Sequence, residues 1–296
     1  MSHKSKVLNR DSEERTSRFT MGFRHKRWDL SSRTFLMGIL NVTPDSFSDG
    51  GKFFKPEEAI REGIKLAEEG ADIIDIGGES TRPGSEPVSL EEELHRVIPV
   101  IEELVKRIDI PISIDTYKSK VAKTALEAGA EMINDISALR FDAEMKKTIS
   151  DLRAPVVLMH IKGTPRDMQK NPYYKDVVEE IKSYLQESIS EANKAGIKED
   201  KIIVDPGIGF GKTVGDNLKI LKNLSEFKSL GKPLLMGVSR KSFIGKILDL
   251  PLDERLEGSL AALAMCIMNG ANMIRVHDVK ESKKAAGIVD AVLKQG

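Results

Sequence analysis

The sequence is short of cysteine, of net charge, of long apolar runs and of nucleotide-loop glycine signatures. Each shortage excludes something. One cysteine, Cys266, rules out an internal disulfide framework and fits a reducing, cytoplasmic compartment. It sits in the apolar run LAALAMCIM, where it reads as a packed residue rather than a nucleophile. Lys+Arg and Asp+Glu both total 46, so no overall basic field attracts nucleic acid or anionic lipid. No apolar stretch is long enough to span a bilayer. Residues 1–33 are polar and basic with no apolar h-region, so they are not a secretory signal. They read as an N-terminal extension, either a disordered arm or an extra edge element. No GxGxxG or GxxxxGK[ST] stands at a strand–helix junction, which removes the usual nucleotide fingerprints.

What is present is one device, repeated. In residues 36–51, LMGILNVTPDSFSDGG, an apolar run stops at Asn41 and gives way to a polar, Gly-rich loop. Such a segment reads as a buried strand ending in a loop at the mouth of a site, or as a plain surface turn. The same pattern recurs. Strand-like runs cover 34–40, 71–77, 111–115, 131–136, 155–160, 201–207, 233–239 and 272–278. They are continuously apolar rather than alternating, as parallel strands covered on both faces should be. Helical patterns follow over 55–70, 89–108, 118–130, 141–152, 176–196, 216–227, 253–270 and 279–295. Ser89 with Glu92 is expected to form a capping box, Pro99 to kink its helix or to mark the first turn of a second segment, and Asp142 to cap the fourth helix. Eight alternating β and α units without a long linker predict a single-domain (β/α)8 barrel over 34–296. An open doubly wound sheet is the alternative; its Gly-rich first turn is missing.

In a barrel the strand ends converge on one mouth. Those ends carry Asn41; Asp75, Glu79 and Ser80–Gly84; Asp115; Asn134 and Asp135; Met159 and His160; Asp205 and Phe210; Ser239 to Ser242; and Arg275, His277 and Asp278. Asp115, Asn134 and Asp205 can together satisfy a flat ligand rich in N–H donors. Singly, Asp205 before Pro-Gly could be a turn starter and Asp115 a helix cap. Asn41, Arg275 and His277 would make an anion site with room for a hard cation. The plainer readings are an Arg275–Asp278 ion pair on the rim and a core histidine. Ser239-Arg240-Lys241-Ser242 leads into a helical pattern that could bind a carboxylate, or could be an ordinary Ser cap.

The motifs LNVTPDSFSDGG, DIIDIGGESTRPG, SIDT, INDIS, LMH-x-x-GTP, DPGIGFGKT, GVSRKSFIG and RVHDV occur in this order. Together they resemble the dihydropteroate synthase family from residue 35 to about 290. That resemblance implies a pterin-binding (β/α)8 barrel of folate biosynthesis, a cytoplasmic homodimer. It would join a dihydropterin carrying a CH₂–diphosphate to 4-aminobenzoate, assisted by Mg²⁺ and inhibited by sulfonamides. The catalytic set it implies is Asp115, Asn134, Asp205, Lys241 and Arg275. The pterin would lie on Asp115, Asn134, Asp205 and Lys241 with Met159 and Phe210 lining its slot. Diphosphate would take Asn41, Arg275 and His277, with Asn41 on the metal. Aminobenzoate would take Phe47, Thr81, Arg82, Pro83 and Ser242. Ile161-Lys162 departs from the family's frequent Met-Gln, and the N-terminal 33 residues are longer than usual for a bacterial-type member. The rival readings are a pterin-binding methyltransferase domain, which needs no diphosphate site, and a non-catalytic barrel that only binds a pterin.

Overall fold

A computed structural model describes residues 19–24, 26–43 and 56–295. The eight apolar runs are parallel strands, all but the first shorter than their runs: β3 (Phe35–Asn41), β4 (Ile73–Gly77), β5 (Ile112–Asp115), β6 (Met132–Asp135), β7 (Val156–Met159), β8 (Ile202–Asp205), β9 (Leu235–Met236) and β10 (Met273–Val276). They are ordered β8-β7-β6-β5-β4-β3-β10-β9. A parallel bridge between Val204 and Leu234, and Val204 N–H donating to Pro233 O at 3.0 Å, bring the ends together. The result is a nearly closed (β/α)8 barrel, as the alternation predicts.

The runs look unpatterned because both strand faces are covered, yet the period of two survives inside them. Leu36, Leu40, Ile74, Ile76, Ile112, Ile114, Ile133, Val156, Leu158, Ile202 and Val204 point outward and form the core shared with the helices. Phe35, Met37, Ile73, Met132, Val157, Ile203, Leu235 and Met273 pack together inside the barrel. Two residues further along the same inward face stand Asp75 after Ile73, Asn134 after Met132, Met159 after Val157, Asp205 after Ile203 and Arg275 after Met273. The fold therefore stacks an apolar layer directly beneath a polar one.

The apolar layer is closed from below by the N-terminal extension. β1 (Thr20–Gly22) pairs antiparallel with β2 (Arg27–Asp29), Met21 opposite Trp28. Met21, Trp28 and Leu30 are buried in the inner cluster, and Trp28 stacks between Phe23 and Phe35 at centroid distances of 4.3 and 4.7 Å. From Phe19 on, the extension is neither a disordered arm nor an edge of the barrel sheet. It is a separate hairpin, because three large apolar side chains within a polar stretch find the open base of the barrel. Residues 1–18 lie outside the described residues.

The helices are α1 (Pro56–Glu68), α2 (Leu90–Leu104), α3 (Ser119–Ala128), α4 (Met145–Leu152), α5 (Val177–Lys194), α6 (Val214–Lys222), α7 (Ser242–Leu248), α8 (Leu256–Met268) and α9 (Val279–Leu293). Pro99 lies inside α2, which continues past it to Leu104. Half of the expected capping box forms there. Ser89 Oγ accepts from Glu92 N–H at 3.1 Å, but the Glu92 carboxylate goes to Arg96 Nε at 2.8 Å. Asp142 serves two helix starts: its Oδ1 accepts from Glu144 N–H at 3.0 Å just before α4, as expected, and it also reaches a second helix. Its Oδ2 accepts from Ser119 N–H at 2.7 Å, at the start of α3. A complete box stands instead on α6, between Thr213 and Asp216. On α8, Cys266 is fully buried beside Ala262, Leu263 and Ile267, so the thiol is a packed residue.

Candidate active site at the barrel mouth

The polar layer is built around a carboxylate that the sequence places at the mouth but to which its motifs assign no role. Asp75 in β4 is fully buried. Its Oδ2 accepts from Arg275 Nε at 2.6 Å and from Asn134 Nδ2 at 2.9 Å. Arg275 Nη2 also donates to Asp115 Oδ2 at 2.8 Å. Side chains from β4, β5, β6 and β10 thus meet in one network across the barrel interior. Asp75 Oδ1, Asp115 Oδ1 and Ser113 Oγ are buried there without a protein partner. Buried acceptors seldom stay unpaired, so these oxygens mark where a donor-rich ligand or ordered water completes the network.

Asp205 stands at the end of β8, buried, with its Oδ1 accepting from Gly207 N–H at 2.7 Å. Burial pushes its carboxyl up to about 6, although the Gly207 N–H and the Lys241 ammonium hold the anion. Asp115 is pushed up to about 7, first by burial; Arg275 opposes the shift and the Asp75 charge adds to it. Gly207 has φ +71°, and a Cβ there would fall 2.0 Å from His160 O. The Asp205-Pro-Gly turn therefore requires glycine to lie flat against the β7 loop.

Lys241 occupies the N-cap position of α7, and its Nζ lies 4.2 Å from the centroid of the Phe210 ring. Burial lowers its ammonium to about 8, with Arg275 adding to that and Asp205 opposing it. Met159 joins Ile136, Ile161 and Met168 in a small apolar cluster against which Phe210 and Tyr117 pack. Donors and acceptors on one side and an apolar wall with a cation over an aromatic ring on the other form a slot for a flat, polar-edged ring. Below it, Lys212 is buried with Nζ 2.9 Å from both His160 Nδ1 and Phe210 O. This support for the slot was also missed; its only signal was a lysine inside the DPGIGFGKT motif.

The structure pairs the charges of β10 differently from the rim ion pair considered above. Arg275 goes inward to Asp75 and Asp115, and Asp278 instead binds Arg240, whose Nε donates to it at 3.0 Å. His277 Nδ1 lies 3.0 Å from Ser239 Oγ, which also accepts from His277 N–H at 3.2 Å. Burial, then the Arg275 and Arg240 charges, hold the imidazole neutral, down to about 3. Asn41 ends β3, the strand hydrogen-bonded to β10, and is partly buried at the same rim. Ser242 is exposed at the first turn of α7.

Thr81, Arg82 and Pro83 lie on the loop after β4, Thr81 partly buried and the other two exposed. Ser85 N–H donates to Arg82 O at 3.0 Å, and Gly84 N–H reaches Pro165 O of the β7 loop at 2.9 Å. Phe47 lies outside the described residues. Among the described residues no group of three or more His, Cys, Asp or Glu converges as a metal site.

Residues 37–277 match the model of the pterin binding enzyme family. The dihydropteroate synthase of Clostridium beijerinckii is 49% identical over 91% of this chain and 98% of its own. Among solved structures, the Yersinia pestis dihydropteroate synthase in complex with a sulfonamide drug superposes with a TM-score of 0.88, at 44% identity over 93% of this chain and all of that one. The Xanthomonas albilineans dihydropteroate synthase with 4-aminobenzoic acid gives a TM-score of 0.87, at 46% identity over 93% of this chain and 98% of that one.

Proposed function

The chain belongs to the pterin-binding enzyme family, and on that premise we propose that it is a dihydropteroate synthase. It joins (7,8-dihydropterin-6-yl)methyl diphosphate to 4-aminobenzoate, giving 7,8-dihydropteroate and diphosphate. The observation that carries this reading is the network of Asp75, Asp115, Asn134 and Arg275 beneath a mouth that also holds Asp205 and Lys241.

The pterin's amino and ring N–H edge suits Asp205, Asp115 and Asn134, with its ring between Met159 and Phe210. Lys241 is placed to donate to a ring carbonyl or nitrogen. Arg275 and neutral His277 face the diphosphate from β10, and Asn41 from β3. Thr81, Arg82, Pro83 and Ser242, with Phe47, would surround the aminobenzoate. In the reaction the methylene C–O bond breaks, the aniline nitrogen forms the new C–N bond, and that nitrogen sheds a proton. An aniline nitrogen is already a nucleophile, so the protein need supply orientation and anion stabilisation rather than a strong base.

Asn41 offers a single neutral amide oxygen, which fits Mg²⁺, a cation that keeps several waters and shares phosphate oxygens. When bound, Mg²⁺ would neutralise charge on the departing diphosphate. The reading includes a cytoplasmic location, consistent with a buried free thiol and with no helix among the described residues long and apolar enough to cross a membrane. It also includes a homodimer. Neighbouring helices α6, α7 and α8 expose Leu218, Ile247, Leu248, Met265 and Met268, an apolar face that a second copy would cover.

The test is diphosphate release from the dihydropterin diphosphate with Mg²⁺, with and without 4-aminobenzoate, beside Asp205→Asn. Release that requires aminobenzoate and falls at least about 100-fold in the variant is expected, the scale of losing an interaction made to the reacting ligand. Pterin binding without turnover would refute the synthase reading and favour methyl transfer or simple binding.

A further inference from the structure

We propose that Lys118, a residue outside the mouth, is a positioning residue that latches both ends of the 79–88 loop and so sets affinity for the acid substrate and its sulfonamide mimics. The proposal rests on the reading above, in which that loop carries the aminobenzoate residues Thr81, Arg82 and Pro83.

The loop leaves β4 at Gly77 and enters α2 after Ser89. Between those points only its central stretch, Arg82–Gly84 with Glu86 and Pro87, is exposed, and it contains no strand or helix. Its two ends meet on one ammonium. Lys118 Nζ donates to Glu79 Oε2 at 2.6 Å, at the start of the loop, and to Val88 O at 2.9 Å, at its end. Its third proton goes to Glu93 Oε2 at 2.6 Å, on the first turns of α2. All three donors of the ammonium are used, and the side chains of Glu79 and Glu93 are 7% and 1% exposed. Glu79 closes the clasp by accepting from Tyr117 O–H at 2.6 Å through Oε1 and from Val88 N–H at 3.2 Å through Oε2.

Lys118 follows β5 and is the N-cap residue of α3, so the anchor stands on the rigid barrel frame. Asp115, three residues earlier, belongs to the Arg275 network. The frame that carries a pterin carboxylate therefore also fixes the base of the neighbouring loop. The tip of the loop is held more lightly. Gly84 N–H bonds Pro165 O, and Glu86 pairs with Arg166 at 3.5 Å with both side chains largely exposed. An exposed pair of that kind contributes little, so the buried clasp determines where the tip can sit. A loop displaced by about 1 Å at its base loses a positioned ligand contact and can cost about 100-fold.

The experiment compares Lys118→Met, Lys118→Arg and Tyr117→Phe with the wild type. It measures KM for each substrate, kcat, the dissociation constant of pterin-6-carboxylate as an analogue of the pterin ring alone, and hydrogen exchange of amides 79–88. In Lys118→Met, KM for 4-aminobenzoate and the inhibition constant of a sulfonamide should rise together, by about 10- to 100-fold. Binding of pterin-6-carboxylate should stay within about twofold, and exchange should quicken in 79–88 only. Lys118→Arg, which keeps the charge and can fork between Glu79 and Glu93, should recover most of the loss. Tyr117→Phe removes one hydrogen bond and should move the aminobenzoate KM the same way by about threefold to tenfold, which keeps the test open if Lys118→Met does not fold. Equal weakening of both substrates, or an unchanged aminobenzoate KM in Tyr117→Phe and Lys118→Met, overturns the proposal. A wild type with no synthase turnover would instead overturn the functional reading, and the exchange data would still report whether the latch exists.

Discussion

Asp75→Asn keeps the shape of the side chain at the centre of the site and removes its charge. Oδ2 of Asp75 accepts from Arg275 at 2.6 Å and from Asn134 at 2.9 Å, while Oδ1 has no partner. An asparagine oxygen can take the Oδ2 place and still accept both bonds. Two effects oppose it. The Arg275 bond loses its anionic acceptor, which costs about 1 kcal/mol. The new amide NH₂ takes the place of Oδ1, which has no hydrogen-bond partner in the protein, and a buried unpaired donor costs about 1–3 kcal/mol. Arg275 keeps Asp115 at 2.8 Å, so the about 3–5 kcal/mol of a fully orphaned buried cation is not reached. The sum is about 2–4 kcal/mol, and for a chain of this size it lowers the melting temperature by about 3–6 °C. Function should suffer more than stability, because Arg275 and Asn134 serve different ligand groups and lose the same anchor. A fall of about 100-fold in kcat/KM is expected. Scanning calorimetry and the diphosphate-release assay on one preparation measure both. A melting shift below about 2 °C with kcat/KM within about threefold of wild type would refute the argument that Asp75 organises the site.

Two further outcomes follow from the same geometry. Asp115 and Asp205 hold protons up to about 7 and about 6 in the folded chain, against about 3.9 for an ordinary aspartate. The folded state binds those protons more tightly than the unfolded chain, so their contribution to stability is complete below about pH 4 and is lost as pH rises through about 6 to 7. Unfolding free energies of the ligand-free protein, measured by denaturant titration across that range, should fall with rising pH more steeply in the wild type than in Asp205→Asn; equal slopes would contradict the assignment. At the opposite end of the barrel, Trp28→Ala removes a buried ring between Phe23 and Phe35. It should cost about 3–5 kcal/mol in urea unfolding and leave kcat unchanged at a temperature where the variant is folded, and a fallen kcat in folded protein would show that the base of the barrel reaches the mouth.

The barrel was legible in the sequence because its strands are apolar on both faces and its helices are punctuated by glycine and cap residues. Asp115, Asn134, Asp205, Lys241 and Arg275 were legible because they end strands or follow them closely, and a barrel gathers strand ends. Asp75 was harder to read. It stands in the middle of IIDIG, flanked by isoleucines, and its role appears only when β3 pairs with both β4 and β10 and sets those two strands on either side of it. The partner of Arg275 was unreadable for the same reason. Asp278 is three residues away in sequence, yet the inward strand face sends Arg275 to Asp75 and Asp115, 200 and 160 residues distant. Asp142 shows the same limit at a helix end. A local rule assigns it to the start of α4, where one oxygen does accept from Glu144 N–H, while the packing of α3 against α4 brings the other to Ser119. The hairpin escaped because Met21, Trp28 and Leu30 are too few and too scattered to read as core until the open barrel base is present.

The two inner layers of the barrel are opposites, and that contrast bears on function. Below, Met37, Ile73, Met132, Val157, Ile203 and Met273 fill the interior, with the Ser113 hydroxyl a polar group on the same inward face. One step above, Asp75, Asp115, Asp205, Arg275 and Lys241 crowd the same narrow space. A buried ion cluster is a poor source of stability, since apolar residues of equal volume usually serve as well or better. The lower layer shows that this barrel can be filled that way. The upper layer therefore spends stability on something else. Its protonation equilibria indicate what: burial brings Asp115 up to about 7 and Lys241 down to about 8, so an acid and a base normally far apart both lie close to neutrality. Such a pair can adjust its protons to an arriving heterocycle at small energetic cost, as a site that must first hold a pterin and then tolerate charge moving off it requires.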